Sequence, residues 1–103
     1  MLVEKFARQI ADMLRMPYLP AIFKVRQTQE QKKCTNRAQK IKNVRGAFAV
    51  TSSHLIAGRV LLLVDDIYDS GSTLREVGQT LMQSGAKAVY PFTITQTLHS
   101  DNR

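Results

Sequence analysis

The sequence predicts an α/β fold built on a parallel sheet, and three stretches in its second half carry that prediction. Residues 60–64, VLLLV, are an unbroken aliphatic run. A strand that does not alternate apolar and polar residues is suited to burial on both faces, as in the middle of a parallel sheet. Leu74, Val77, Leu81 and Met82 then recur at three- and four-residue steps and define an amphipathic helix. Thr73 and Glu76 form a capping-box signal at its start, and Gly85 stands where a left-handed C-terminal cap belongs. Residues 88–95 read as a further strand. Strand, helix and strand in about 35 residues make a βαβ unit, whose crossover is right-handed almost without exception.

The elements before this unit are shorter. Leu2 or Val3, Phe6, Ile10, Met13 and Leu14 share one helical face, and Pro17 and Pro20 stop that helix. Residues 21–25 are a short apolar strand candidate. Thr28 with Gln31 gives a capping-box signal for a second helix over roughly 29–42. Its apolar stripe is only Cys34, Ala38 and Ile41, so packing anchors it weakly and a ligand would help to order it. Gly46 ends it, residues 47–50 start another strand, and 52–58 form a turn. A chain of 103 residues is enough for one small domain, assigned here as 1–103, and too short for two.

Composition narrows the class. No apolar run approaches the ~18 residues of a membrane span. The opening residues carry charges throughout, unlike a secretory signal, so the expected location is the cytoplasm. Cys34 is the single cysteine, which rules out an intrachain disulfide; it reads as a small apolar residue on a helix rather than a catalytic thiol. The net charge of +7 is confined to one segment: residues 24–45 hold eight basic residues and one acid, Glu30. Everything outside that segment is neutral, with seven basic and seven acidic residues. Such a stripe fits a solvated helix face, a nucleic-acid footprint or a lid over a polyphosphate. It lacks the interleaved aromatics of a single-strand stacking platform.

The chemistry concentrates at the end of the aliphatic run, in VLLLVDDIYDSGST (60–73). Ligands of open α/β sheets bind beyond the carboxyl ends of the strands, where Asp65 and Asp66 stand. Adjacent strand residues point to opposite faces, so both carboxylates reach one ligand only if the chain curls there. Asp69, Ser70, Gly71, Ser72 and Thr73 then lead into a helix N-terminus. Backbone N–H groups, hydroxyls and the positive end of a helix dipole together make a phosphate cradle. Carboxylates accept hydrogen bonds from vicinal hydroxyls, so acids beside a phosphate cup suit a phosphorylated ribose. The stretch contains neither a GxxxxGK[ST] P-loop nor a GxGxxG turn.

The same string resembles the phosphoribosyl-diphosphate (PRPP) binding signature of type I phosphoribosyltransferases. Residues 26–50, RQTQEQKKCTNRAQKIKNVRGAFAV, resemble the R-x-T-x-x-Q…R…N-x-x-G-A-F pattern of the ComF-like branch, which is tied to DNA uptake. The matching positions are Arg26, Thr28, Gln31, Arg37, Asn43, Gly46, Ala47 and Phe48. The closing residues 78–103 look most like the end of bacterial RecQ-type DNA helicases. These resemblances imply the Rossmann-like parallel sheet of the type I phosphoribosyltransferase fold, N-terminally truncated. The chain would begin inside the helix that follows the family's diphosphate-binding loop.

By position, the resemblance makes Asp65 and Asp66 the catalytic pair that binds the ribose hydroxyls, with Mg²⁺ arriving on the diphosphate. Asp69, Ser70, Gly71, Ser72 and Thr73 would hold the 5′-phosphate. Arg26, Lys32, Lys33 and Arg37 lie where the family has a mobile loop and are candidate diphosphate or nucleic-acid contacts. Asp69 departs from the family's usual Thr or Ser, and a third carboxylate beside the phosphate would weaken binding by roughly 1 kcal/mol. The implied partners are PRPP or another ribose-5-phosphate ligand, DNA through a parent protein, and a second copy of the chain, with no membrane. The alternative function is a non-catalytic DNA- or partner-binding module using residues 24–45.

Overall fold

The computed structural model describes residues 2–29, 33–66 and 71–94. Helix α1 is Leu2–Leu14, strand β1 Ile22–Lys24, helix α2 Arg37–Val44 and strand β2 Phe48–Val50. A single 3₁₀ turn at Ser53–Leu55 leads to strand β3, Val60–Asp66, helix α3, Ser72–Gln83, and strand β4, Ala88–Ile94. β3 and β4 pair in parallel from Val60↔Ala88 to Asp66↔Ile94 across the α3 crossover, so the α/β fold with a parallel sheet is the fold found. β1 and β2 form a separate antiparallel pair, Ile22↔Val50 to Lys24↔Phe48.

The register of the parallel pair is fixed just ahead of it. The Gly58 N–H donates to the Gly85 carbonyl at 2.8 Å, and the Lys87 N–H donates to the Arg59 carbonyl at 2.8 Å. Val77 and Leu81 of α3 meet Ala21, Ile56 and Ala86 in the buried core, with Leu61, Leu63 and Val89 of the sheet packed against them. Met82, expected on the same stripe, is 48% exposed. Consecutive helical residues are about 100° apart, so the residue after Leu81 falls off the buried face.

Both long helices end in the same hydrogen-bond pattern. In α3 the Gly85 N–H donates to Met82 and the Ala86 N–H to Leu81, at 3.0 and 3.2 Å. In α1 the Arg15 N–H donates to Asp12 and the Met16 N–H to Ala11, at 3.2 and 2.8 Å. This Schellman geometry needs a left-handed residue. Gly85, at φ 100°, meets that need as the sequence predicts, whereas Arg15 meets it at φ 55° with a side chain attached. The α1 stop is therefore made at Arg15, before either proline. Met13 and Leu14, expected on the apolar face, are 81% and 56% exposed there.

Two further expectations are corrected. β3 is not enclosed on both faces: Val60 is 52% exposed, residues 61–64 are half-buried, and β4 is its only ladder partner among the described residues. Its aliphatic run packs with α3 and also approaches α1, beside a groove lined by both α1 and the strand. The second helix is Arg37–Val44 rather than 29–42. The capping signal that operates is Asn36 with Gln39: Asn36 Oδ1 accepts the Gln39 N–H at 2.9 Å, and Gln39 Oε1 accepts the Thr35 N–H at 2.8 Å. Thr28 instead accepts from Lys24 Nζ at 2.9 Å, and Gln31 lies outside the described residues. Cys34 is buried in the loop before α2, not on a helix, with its thiol 3.8 Å from Gln29 Oε1.

Candidate functional site

β3 carries its ladder two residues beyond the aliphatic run, so Asp65 and Asp66 close the strand opposite Thr93 and Ile94. Side chains alternate along a strand. Asp65 therefore follows Leu61 and Leu63 on the side that α3 covers, and it is half-buried there. Of the side chain of Asp66 nothing is described. Asp69 and Ser70 lie outside the described residues, as does Lys32.

Helix α3 begins at Ser72, with Gly71 as its N-cap at φ 86° and ψ 5°. Among the described residues beyond its chain neighbours, no atom lies within 4 Å of where a Cβ at Gly71 would stand. A side chain at this φ carries a backbone cost of about 1–2 kcal/mol. Ser72 is buried in the first turn, and Thr73 follows it within the helix. The expected capping box of Thr73 and Glu76 does not form, because Thr73 is already inside the helix. The Glu76 carboxylate is used elsewhere: its Oε2 accepts the Gly46 N–H at 3.1 Å, thirty residues away in sequence. Glu76 is one turn along α3 from Ser72, about 6 Å at 1.5 Å per residue. This contact brings the turn after α2 to the end of α3 where the phosphate loop would lie.

Arg26 and Arg37, the two candidate cations placed against α2, stand at its opposite ends. Arg26 is placed at the C-terminal end of α2, where Nη2 donates to the carbonyls of Asn43 at 2.9 Å and Arg45 at 2.6 Å, and Nη1 to that of Gln27 at 3.2 Å. A cation at that end also suits the helix dipole. Arg37 lies exposed at the opposite end, eight helical residues or about 12 Å along the axis, and Lys33 is exposed in the loop before α2. Sequence reasoning did not find the structural pair beside Arg26. Asn43 and the Gln29 backbone exchange two hydrogen bonds, Gln29 N–H to Oδ1 and Nδ2 to Gln29 O, both 2.9 Å. The only signal for it was the place of Asn43 in the quoted pattern. Together these contacts hold residues 26–29 against α2.

A shallow depression of about 690 Å³ runs from Gly71 along α3, past Gly78, to Val89 and Pro91 of β4. Among the described residues no three His, Cys, Asp or Glu side chains come together as a metal site. The donor at hand is the hard carboxylate oxygen of Asp65. That fits Mg²⁺, which keeps its waters and is usually held by one or two carboxylates plus substrate phosphates. No helix among the described residues is long and apolar enough to cross a membrane.

Acids at the carboxyl end of a parallel strand, followed by a helix opened by a left-handed glycine, agree with what comparison finds. The phosphoribosyl transferase domain family matches residues 4–99, and the chain belongs to that family. Among individual relatives, it is 33% identical over 78 residues to DNA utilization protein YhgH of Escherichia coli K12. The protein of the same name in Shigella flexneri is 32% identical over 78 residues. These alignments cover 76% of this chain and 33% of each relative, so the chain spans about a third of the length of the curated relatives it matches. No solved structure matches it. The likeness of the closing residues to RecQ-type helicases finds no support in these relatives.

Proposed function

We propose that this chain is the ribose-5-phosphate-binding part of a PRPP-binding, ComF-like phosphoribosyltransferase domain that serves a DNA-processing protein. The observation that carries the reading is that Asp65 and Asp66 close the parallel strand β3 and that Gly71, five residues on, opens helix α3. Asp65 and Asp66 accept hydrogen bonds from the ribose 2′- and 3′-hydroxyls. The amides of residues 69–73 and the dipole of α3 hold the 5′-phosphate. Bound Mg²⁺ supplies charge neutralisation on the diphosphate. Fixing the ribose while positive charge develops at C1 is what the chain's own residues contribute to transfer. The Gly46–Glu76 hydrogen bond supports the reading further, since it docks the basic segment one turn from the phosphate end of α3.

Titration calorimetry with PRPP and Mg²⁺ tests this. Saturable heat is expected, weakened about 10- to 100-fold in Asp65→Asn/Asp66→Asn, from charge-assisted hydrogen bonds of about 1.5–3 kcal/mol each. Absence of heat from the folded chain at millimolar PRPP sinks the proposal.

A second reading rests on the confinement of the excess charge to residues 24–45 and on the DNA utilization named in the relatives. In it the basic segment contacts DNA. Replacing Lys33, Arg37, Lys40 and Lys42 by Gln would then reduce both the affinity and its salt slope. No DNA binding at low salt would exclude it.

A further inference from the structure

The excess positive charge lies on an excursion from the β1–β2 pair, and the base of that excursion is stitched shut. The Val25 N–H donates to the Ala47 carbonyl at 2.8 Å, one step beyond the ladder pair Lys24↔Phe48. Arg26 then holds the carbonyls of Asn43 and Arg45, and Asn43 exchanges its two hydrogen bonds with the Gln29 backbone. Residues 25–29 are thereby bound to residues 43–47 and to the C-terminal end of α2. Val44 and Ala47 in this block are buried, and α2 packs with α3. The block also donates to α3, from the Gly46 N–H to Glu76 Oε2 at 3.1 Å. That bond lies just past the C-terminal end of α2, whereas Arg37 stands exposed at the other end, about 12 Å along the axis. A short helix held at one end is a lever. A tilt of about 10° at the held end moves Arg37 by about 2 Å, enough to take a hydrogen bond out of range.

We propose that Glu76 is a positioning residue for the diphosphate end of the ligand: by holding Gly46 it sets the pose of α2 and so the place of the Arg37 guanidinium. The inference rests on the PRPP reading and adds a residue that sequence reasoning took for a helix cap. Glu76 acts through Gly46 and α2 rather than on the ligand. A carboxylate one turn from the phosphate end of α3 repels a bound phosphate. What the site uses is therefore the acceptor oxygen and its reach, not the charge, and an amide oxygen at the same reach serves equally.

Titration calorimetry of the full chain with Mg²⁺ tests this by comparing PRPP with ribose 5-phosphate, which shares the sugar and the 5′-phosphate but lacks the diphosphate. Glu76→Asp keeps the charge and withdraws the oxygen by one C–C bond, about 1.5 Å. Glu76→Gln removes the charge and keeps the oxygen. Glu76→Asp should weaken PRPP binding about 5- to 20-fold, the loss of one charge-assisted contact, and ribose 5-phosphate binding less than about twofold. Glu76→Gln should keep the ratio of the two affinities within about twofold of the original. In an Arg37→Gln background, Glu76→Asp should no longer change that ratio, because the two residues act in series. General loosening of the fold would weaken both ligands alike, so it cannot imitate the selective loss. Equal weakening of both ligands, an unchanged ratio in Glu76→Asp, a ratio that follows the charge, or a full effect without Arg37 would each overturn the proposal while leaving the PRPP reading standing. Absence of heat with either ligand from the original chain would instead sink the PRPP reading, and this inference with it.

Discussion

Replacing Arg26 by Gln separates a scaffold role from a ligand role. In the structure its guanidinium makes two close hydrogen bonds, 2.9 Å to the Asn43 carbonyl and 2.6 Å to that of Arg45, and a longer one of 3.2 Å to Gln27. Hydrogen bonds to a charged donor are worth about 1.5–3 kcal/mol when protected from water. Arg26 is exposed, so solvent screening reduces each of the two close bonds to roughly 0.5–1 kcal/mol. The expected loss is therefore about 1–2 kcal/mol of stability, a sum that includes the favourable position at the α2 C-terminus. For a domain of this size each kcal/mol lowers the melting temperature by about 4–8 °C. Urea and thermal unfolding followed by circular dichroism would show it. Arg26→Lys should recover only part, because one ammonium group cannot reproduce the planar fork. If Arg26→Gln leaves stability within about 0.3 kcal/mol of the original and abolishes PRPP binding, the cap assignment is wrong and Arg26 is a ligand contact.

Two other substitutions probe the local signals. Asn36→Ala should cost about 1 kcal/mol in urea unfolding through loss of the α2 N-cap, whereas Thr28→Ala should cost less than about 0.5 kcal/mol. The reverse order would restore the longer helix read from the sequence. Arg15→Gly should raise stability by about 0.5–1 kcal/mol, since glycine adopts the left-handed conformation at the end of α1 without the Cβ penalty. A decrease would mean that Arg15 makes contacts worth more than the strain.

The βαβ unit was legible because its signals are local and redundant. The aliphatic run, the 74–82 periodicity and Gly85 each pointed to the same arrangement, and Gly85 ended α3 where it was expected. Asp65, Asp66 and Gly71 could be placed for the same reason, as strand end and helix start. What was not legible depended on choosing between equal local signals or on distant partners. Thr28-x-x-Gln31 and Asn36-x-x-Gln39 are equivalent as strings, and the sequence does not say which pair closes. Glu76 sits where a capping-box partner belongs, yet its carboxylate answers to Gly46 thirty residues earlier. Arg15 carries no glycine to announce the left-handed turn, so the prolines beyond it drew the boundary. A non-alternating strand reports that both faces are apolar, but not what covers them, and among the described residues β3 has a ladder partner on one edge only.

The hydrogen bond from Gly46 to Glu76 also acts as a clock. The Gly46 amide exchanges with solvent when its bond to the Glu76 carboxylate opens, by rotation of that side chain or by parting of the turn from α3, so its exchange rate sets an upper limit on how often the basic segment leaves the βαβ unit. Amides inside α3 answer to a different event, the opening of the unit itself. Two rates read from one molecule thus distinguish a loop that swings on an intact scaffold from a domain that melts as one.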